Sequence, residues 1–181
     1  MKFQFHVNLT DEDYLAFNIF HSFESQDGQK NIRKRRIILL SIIVLIVLCF
    51  VFSMGLTSFT VIYITLVGLF TLIYTLSFKK IITRNLKGQL RQQKKQGKLP
   101  FDPEATFELY DEEFAEYTEL KRTEQSYQTI ERICILNDKY IYLYNSSMSA
   151  YILPIPQIAQ QVDLNELMRF LITKCNNIEY S

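Results

Sequence analysis

The chain has 181 residues, 48% of them hydrophobic and 22% charged, with 20 Lys and Arg against 19 Asp and Glu for a net charge of +1. That balance is too apolar for a disordered polypeptide. Three cysteines without a Cys-x-x-Cys pair exclude a disulfide-dense scaffold, and five glycines leave little room for a phosphate-cradling loop.

In chain order, Phe3, Phe5 and Val7 alternate as in a strand. Thr10-Asp11-Glu12-Asp13 is a helix start, with Thr10 as the cap and acids in the first turn. Tyr14, Phe17, Ile19 and Phe20 follow on an aromatic helix that ends before Ser25-Gln26-Asp27-Gly28. Residues 1–29 cannot build a core alone, so their strand or helix is expected to join the C-terminal domain.

Residues 30–36 are a basic flank, and residues 37–78 then run for 42 positions without a charge. A bilayer core of roughly 30 Å needs about 20 helical residues, so this run is about twice too long for one crossing. Ser53-Met54-Gly55-Leu56-Thr57-Ser58 supplies the turn. The expected layout is transmembrane helix 1 at 37–53, an external turn at 54–57 and transmembrane helix 2 at 58–78. One span plus a re-entrant segment is the rival. A secretory signal peptide starts earlier and is shorter.

Positive charge closes both ends. Arg33, Lys34, Arg35 and Arg36 precede the run, and Lys79, Lys80 and Arg84 follow it. Basic flanks stay cytoplasmic, so both termini are expected inside, in a multi-pass protein of the cell membrane. These seven residues are the candidate lipid-headgroup contacts. Within the span, Gly68, Thr71 and Thr75 recur at helical spacing as a candidate helix-packing face, against the first helix or in a homo-oligomer. The span holds no Asp, Glu, Lys, Arg or His, the residues that mark transport pathways.

Residues 79–100 are basic, with Ile82, Leu86 and Leu90 four apart, and predict a juxtamembrane helix ended by Gly97-Lys98-Leu99-Pro100. Adjacency to the span argues against nucleic acid as its partner. The charge partition is sharp: residues 28–101 hold 13 basic groups and no acid, whereas residues 102–181 hold six basic groups and 14 acids.

Residues 101–181 read as short strands: 106–110 and 114–120 around Asp111-Glu112-Glu113, then 128–136, 140–144 after Asn137-Asp138-Lys139, and 149–153 before Pro154 and Pro156. Asp163 caps a last helix bearing Leu164, Leu167, Met168, Leu171 and Ile172. The expected fold is therefore a membrane helical hairpin plus a small cytoplasmic α+β domain, a curved antiparallel sheet of five or so strands capped by one C-terminal helix.

The succession of Thr10-Asp11-Glu12-Asp13-Tyr14, the two-span hairpin, the Lys-rich linker, Tyr140-Ile141-Tyr142-Leu143-Tyr144 and Ala150-Tyr151-Ile152-Leu153-Pro154 resembles the YcxB-like bacterial membrane proteins. The resemblance implies a pleckstrin-homology-like cytoplasmic domain and no particular activity. Family members often carry a basic residue after the Pro that ends the last strand; here Ile155 and Pro156 stand there.

Catalytic constellations are absent from the pattern. His6 and His21 are too far apart for a helical metal pair, and the acids Asp111, Glu112, Glu113, Glu116 and Glu119 lack a calcium-loop spacing. No enzyme activity, cofactor or metal is expected. The expectation is a membrane-anchored protein whose cytoplasmic domain mediates protein interaction or regulation, with Tyr140, Tyr142 and Tyr144, or the reverse face of Ile141 and Leu143, as the candidate partner surface. Two alternatives are a small immunity or stress protein protecting the membrane against a toxin or bacteriocin, and a lipid-sensing module. The acidity of residues 102–181 opposes direct binding of that domain to anionic lipid.

Overall fold

The computed structural model describes every residue except Leu56, Leu120, Asn137 and Ser181. The parts of the expected turn at Leu56, the strand end at Leu120 and the turn at Asn137 therefore lie outside the described residues. Two compact units emerge, residues 19–89 and residues 1–18 with 90–181, the division falling inside two helices.

The first unit is dominated by two long helices. The N-terminal strand β1 (Phe3–Asn8) and helix α1 (Asp11–Phe23) lead to α2 (Gln26–Met54), and α3 (Ser58–Lys95) follows. The basic flank is helix from the start, because Ser25 caps α2: its Oγ accepts from Gly28 N–H at 3.1 Å and donates to His21 O at 2.6 Å. Gly28 is required at this corner, since a Cβ there would overlap the backbone of His21 and Ser22. At the far end Gly55 takes φ 66°, and its N–H closes α2 on Val51 O at 2.8 Å. Thr57 then caps α3, accepting from Thr60 N–H at 3.3 Å, while Thr60 Oγ1 donates back to Gly55 O at 2.8 Å.

The second unit is an α+β domain with more strands than its sequence pattern predicts. Strands β2 (Glu104–Leu109), β3 (Glu113–Thr118) and β4 (Arg122–Ser126) extend β1 into one antiparallel sheet, order β1-β2-β3-β4. Strands β5 (Arg132–Leu136), β6 (Tyr140–Tyr144), β7 (Ala150–Pro154) and β8 (Ile178–Tyr180) form the other, order β7-β6-β5-β8. The expected single antiparallel sheet is thus corrected to two sheets of four, with one parallel pair between β5 and β8. β4 escapes pattern reading because Arg-Thr-Glu-Gln-Ser has no apolar alternation. The strand expected over 128–136 is shorter, since Tyr127–Thr129 make a 3-10 turn capped by Ser126.

Phe5, Val7, Phe107, Leu109 and Phe114 from the first sheet meet Ile133, Ile141, Leu143 and Leu153 from the second in one buried core. Helix α5 (Leu164–Lys174) closes it with Leu167 and Leu171, and Asp163 caps that helix by accepting from Asn165 and Glu166 N–H. The two prolines end β7 and begin α4 (Ile155–Ile158), where a missing N–H costs nothing.

The outer edge of β1 would leave unpaired backbone groups, and two glutamines cover them. Gln157 Oε1 accepts from Asn8 N–H at 2.8 Å, and its Nε2 donates to Asn8 O at 2.9 Å. Gln161, one helical turn on, does the same for His6 at 2.8 and 2.7 Å. Each side-chain amide mimics one residue of an adjoining strand and blocks edge-to-edge association. Replacing both by Leu should lower unfolding free energy by about 2 kcal/mol, read as a reduced urea midpoint for the detergent-solubilised chain. An unchanged midpoint would mean that these bonds do not hold the edge.

Candidate membrane interface

The hairpin packs along a seam of half-buried residues. Leu39, Ile43, Val47 and Phe50 of α2, and Ile64, Val67 and Thr71 of α3, recur at three- and four-residue steps. Near the turn, Phe50 stacks on Tyr63 with ring centroids 4.5 Å apart. The predicted small-residue face is not this seam. Gly68 is exposed, and a Cβ on it would meet nothing within 4 Å. Thr71 and Thr75 donate to Val67 O and Thr71 O of their own helix, so their hydroxyls do not bridge the pair. Within the hairpin, large β-branched and aromatic side chains do the packing. Only Thr71 of the three lies at the seam.

The outward faces decide the environment. Both helices are long and apolar enough to cross a membrane. Phe52 is 88% exposed, Leu76 76% and Phe70 72%, amid a continuous coat of Ile, Leu and Val. A buried core helix would hide these side chains; a water-soluble surface does not carry such a patch. The chain is therefore membrane-associated. Arg33, Lys34, Arg35, Arg36, Lys79, Lys80 and Arg84 are all exposed where the apolar coat gives way to charge. Arg33, Arg36 and Lys79 line a groove of about 1050 Å³, whereas Lys34, Arg35, Lys80 and Arg84 do not.

The predicted partner surface is overturned. Tyr142 and Tyr144 are fully buried, Ile141 and Leu143 on the reverse face are buried in the core, and only Tyr140 at the strand's start stays half-exposed, so β6 offers no continuous face to a partner. Phe17 of α1 covers the tyrosine face, 5.2 Å from the Tyr142 ring and 5.9 Å from that of Tyr144. Tyr140 OH donates to Asp13 Oδ1 at 2.7 Å, and Asp13 Oδ2 accepts from Thr10 N–H and Oγ1 at 2.8 and 2.7 Å. Burial, then this bond to Asp13, pushes the Tyr140 phenol up to about 12. An aromatic alternation reads the same whether a helix or solvent lies above it, which is why the pattern misled.

The same layer holds a buried cation and thiol. The Arg132 guanidinium lies 4.1 Å from the Tyr144 ring centroid, and Cys134 Sγ sits 3.4 Å from Glu179 Oε2. Burial, then the Glu179 charge, pushes the Cys134 thiol up to about 12 from an ordinary value of 9. The thiolate is the reactive form, so at neutral pH Cys134 is held as the unreactive thiol.

A different tyrosine pair is accessible, on the outer face of the first sheet. Register places Glu108 opposite Ala115 and Thr106 opposite Tyr117, with Tyr117 opposite Arg122 on the next strand. Tyr110 OH donates to Glu108 Oε2 at 2.7 Å, and the Arg122 guanidinium lies 4.9 Å from the Tyr117 ring centroid. Hydrogen bonding to Glu108 pushes Tyr110 up to about 12 and holds the Glu108 carboxyl below its usual range. Sequence reading missed this set because β4, which supplies Arg122, has no strand signature.

No known protein family, curated protein or solved structure matches this chain.

Cys134 provides a test of the buried layer. Alkylation of the full chain, read peptide by peptide, should leave Cys134 unmodified at pH 8 and rise only toward pH 12 or on unfolding. A titration centred near 9 would contradict the described burial.

Proposed function

We propose that the protein is a two-span integral membrane protein that presents its α+β domain at the inner face of the membrane as a non-enzymatic binding module. One observation carries the membrane part: two adjacent helices expose apolar side chains along their length and change to Lys and Arg at the ends away from the turn. Basic flanks stay in the cytoplasm, which supports an orientation with both ends on that side and the turn at Gly55 outside.

We read the domain as pleckstrin-homology-like, a reading supported by its four-strand meander, its three-strand meander and its C-terminal helix, with β8 as an added parallel strand. Together with the motifs around Tyr140 and Tyr151, this supports kinship with the YcxB-like proteins. The net negative charge of residues 102–181 favours a protein partner over anionic lipid for this domain. The accessible face bearing Tyr110, Tyr117 and Arg122 is the surface we assign to that partner, because Tyr and Arg are the side chains enriched among interface anchors.

A photo-crosslinking amino acid at Tyr117, in the full chain in its native membrane, should yield one discrete protein adduct that Arg122→Glu abolishes. A complete lack of adducts, or adducts indifferent to Arg122→Glu, would remove this face from consideration.

A further inference from the structure

The strongest unassigned feature of the hairpin unit is the groove where the end of α1 approaches the basic ends of α2 and α3. Its α2 wall follows one stripe: Lys30 and Arg33 are three apart, and Ile37 and Leu40 continue the same helical face four and seven residues beyond Arg33. Over those seven residues, about 10 Å of rise, the wall changes from guanidinium and ammonium to bare hydrocarbon. The α3 wall makes the same change in the opposite chain direction, from Leu76 to Lys79 within one turn. Arg36 adds a further cation at the boundary.

The third wall is Phe23 and Glu24 of the α1–α2 corner, held close by the Gly28 approach and the Ser25 cap. Glu24 is the lining carboxylate, and it pairs with Lys79 at 3.2 Å while the Lys79 ammonium lies 5.7 Å from the Phe23 ring centroid. With Glu24 and Lys79 offsetting each other, Lys30, Arg33 and Arg36 leave the groove positive. At about 1050 Å³ it is at the upper end of small-molecule sites.

We infer that this groove binds one phospholipid with an anionic headgroup, its phosphate on Lys30, Arg33 and Arg36 and its acyl chains against Ile37, Leu40 and Leu76. Two features of the groove match that molecule and no soluble anion: the charge sits at one end, and the hydrocarbon below it is continuous with the outward coat of the helices. A diffuse basic collar would use every flank residue equally. The groove uses Arg33 and Arg36 but not Lys34 or Arg35, their neighbours in sequence. The inference rests on the hairpin lying in a bilayer.

The test uses the full chain in mild detergent, with native mass spectrometry in equimolar phosphatidylglycerol and phosphatidylcholine. One phosphatidylglycerol should be retained per chain with at least about tenfold preference. The triple change Lys30→Gln, Arg33→Gln, Arg36→Gln should abolish that preference. The triple change Lys34→Gln, Arg35→Gln, Lys80→Gln removes the same charge and should alter it less than about twofold. Leu40→Trp with Leu76→Trp keeps every cation but fills the apolar half, and should also lose the lipid; excess glycerol phosphate should not displace it. Equal losses in the two charge triples, or no preference in the unmodified chain, would overturn the groove. Alkaline carbonate extraction of native membranes separates the two ideas: a chain that washes out refutes the bilayer reading itself, whereas a chain that stays and shows no preference refutes only the groove.

Discussion

Forty-two consecutive uncharged residues cannot be kept in water as two mutually packed helices, because a two-helix seam covers only one stripe on each. Leu39, Ile43, Val47 and Phe50 are half-covered; Phe52, Phe70 and Leu76 on the other sides stay exposed. The remaining surface has to meet hydrocarbon. Backbone polar groups there must be satisfied inside each helix, and the extra Ser and Thr hydroxyls obey the same rule. Ser41, Ser53, Thr65, Thr71 and Thr75 all donate to carbonyls four residues back.

That constraint orders the rest of the unit. The turn at Gly55 needs a positive φ and two threonines to close without exposing carbonyls in the apolar zone. At the other end, Lys and Arg are good helix formers, so α2 and α3 continue through the basic flanks instead of stopping at the last apolar residue. A groove that is cationic above and greasy below follows where two such helices change from Lys and Arg to Ile and Leu beside an aromatic corner.

Much of the architecture was legible because it depends on period and punctuation. The uncharged run, the Thr10 and Asp163 caps, the strand at Phe3 and the hairpin around Asp111 are local signals that packing reinforces. The misreadings have one physical origin: which side of an element is covered depends on residues far away in sequence. Phe17, more than 120 positions before Tyr142, turns an apparent surface into a second buried layer. Gly68 reads as a packing residue by size, yet the seam runs through Ile64, Val67 and Thr71 instead. β4 and β8 are an all-polar edge and a three-residue edge, and neither buries enough apolar surface to leave a pattern.

In the proposed topology the apolar helices cross a membrane and return, leaving the chain's ends together on the cytoplasmic side. Single cysteines in a chain whose three native cysteines are changed to Ser test it most directly. One is placed at Thr57 in the turn and another at Ser147 in the α+β domain, and intact cells are treated with a membrane-impermeant maleimide. Position 57 should be labelled in intact cells, and position 147 only after the cells are opened. Labelling at 147 with the cells still sealed would contradict this topology.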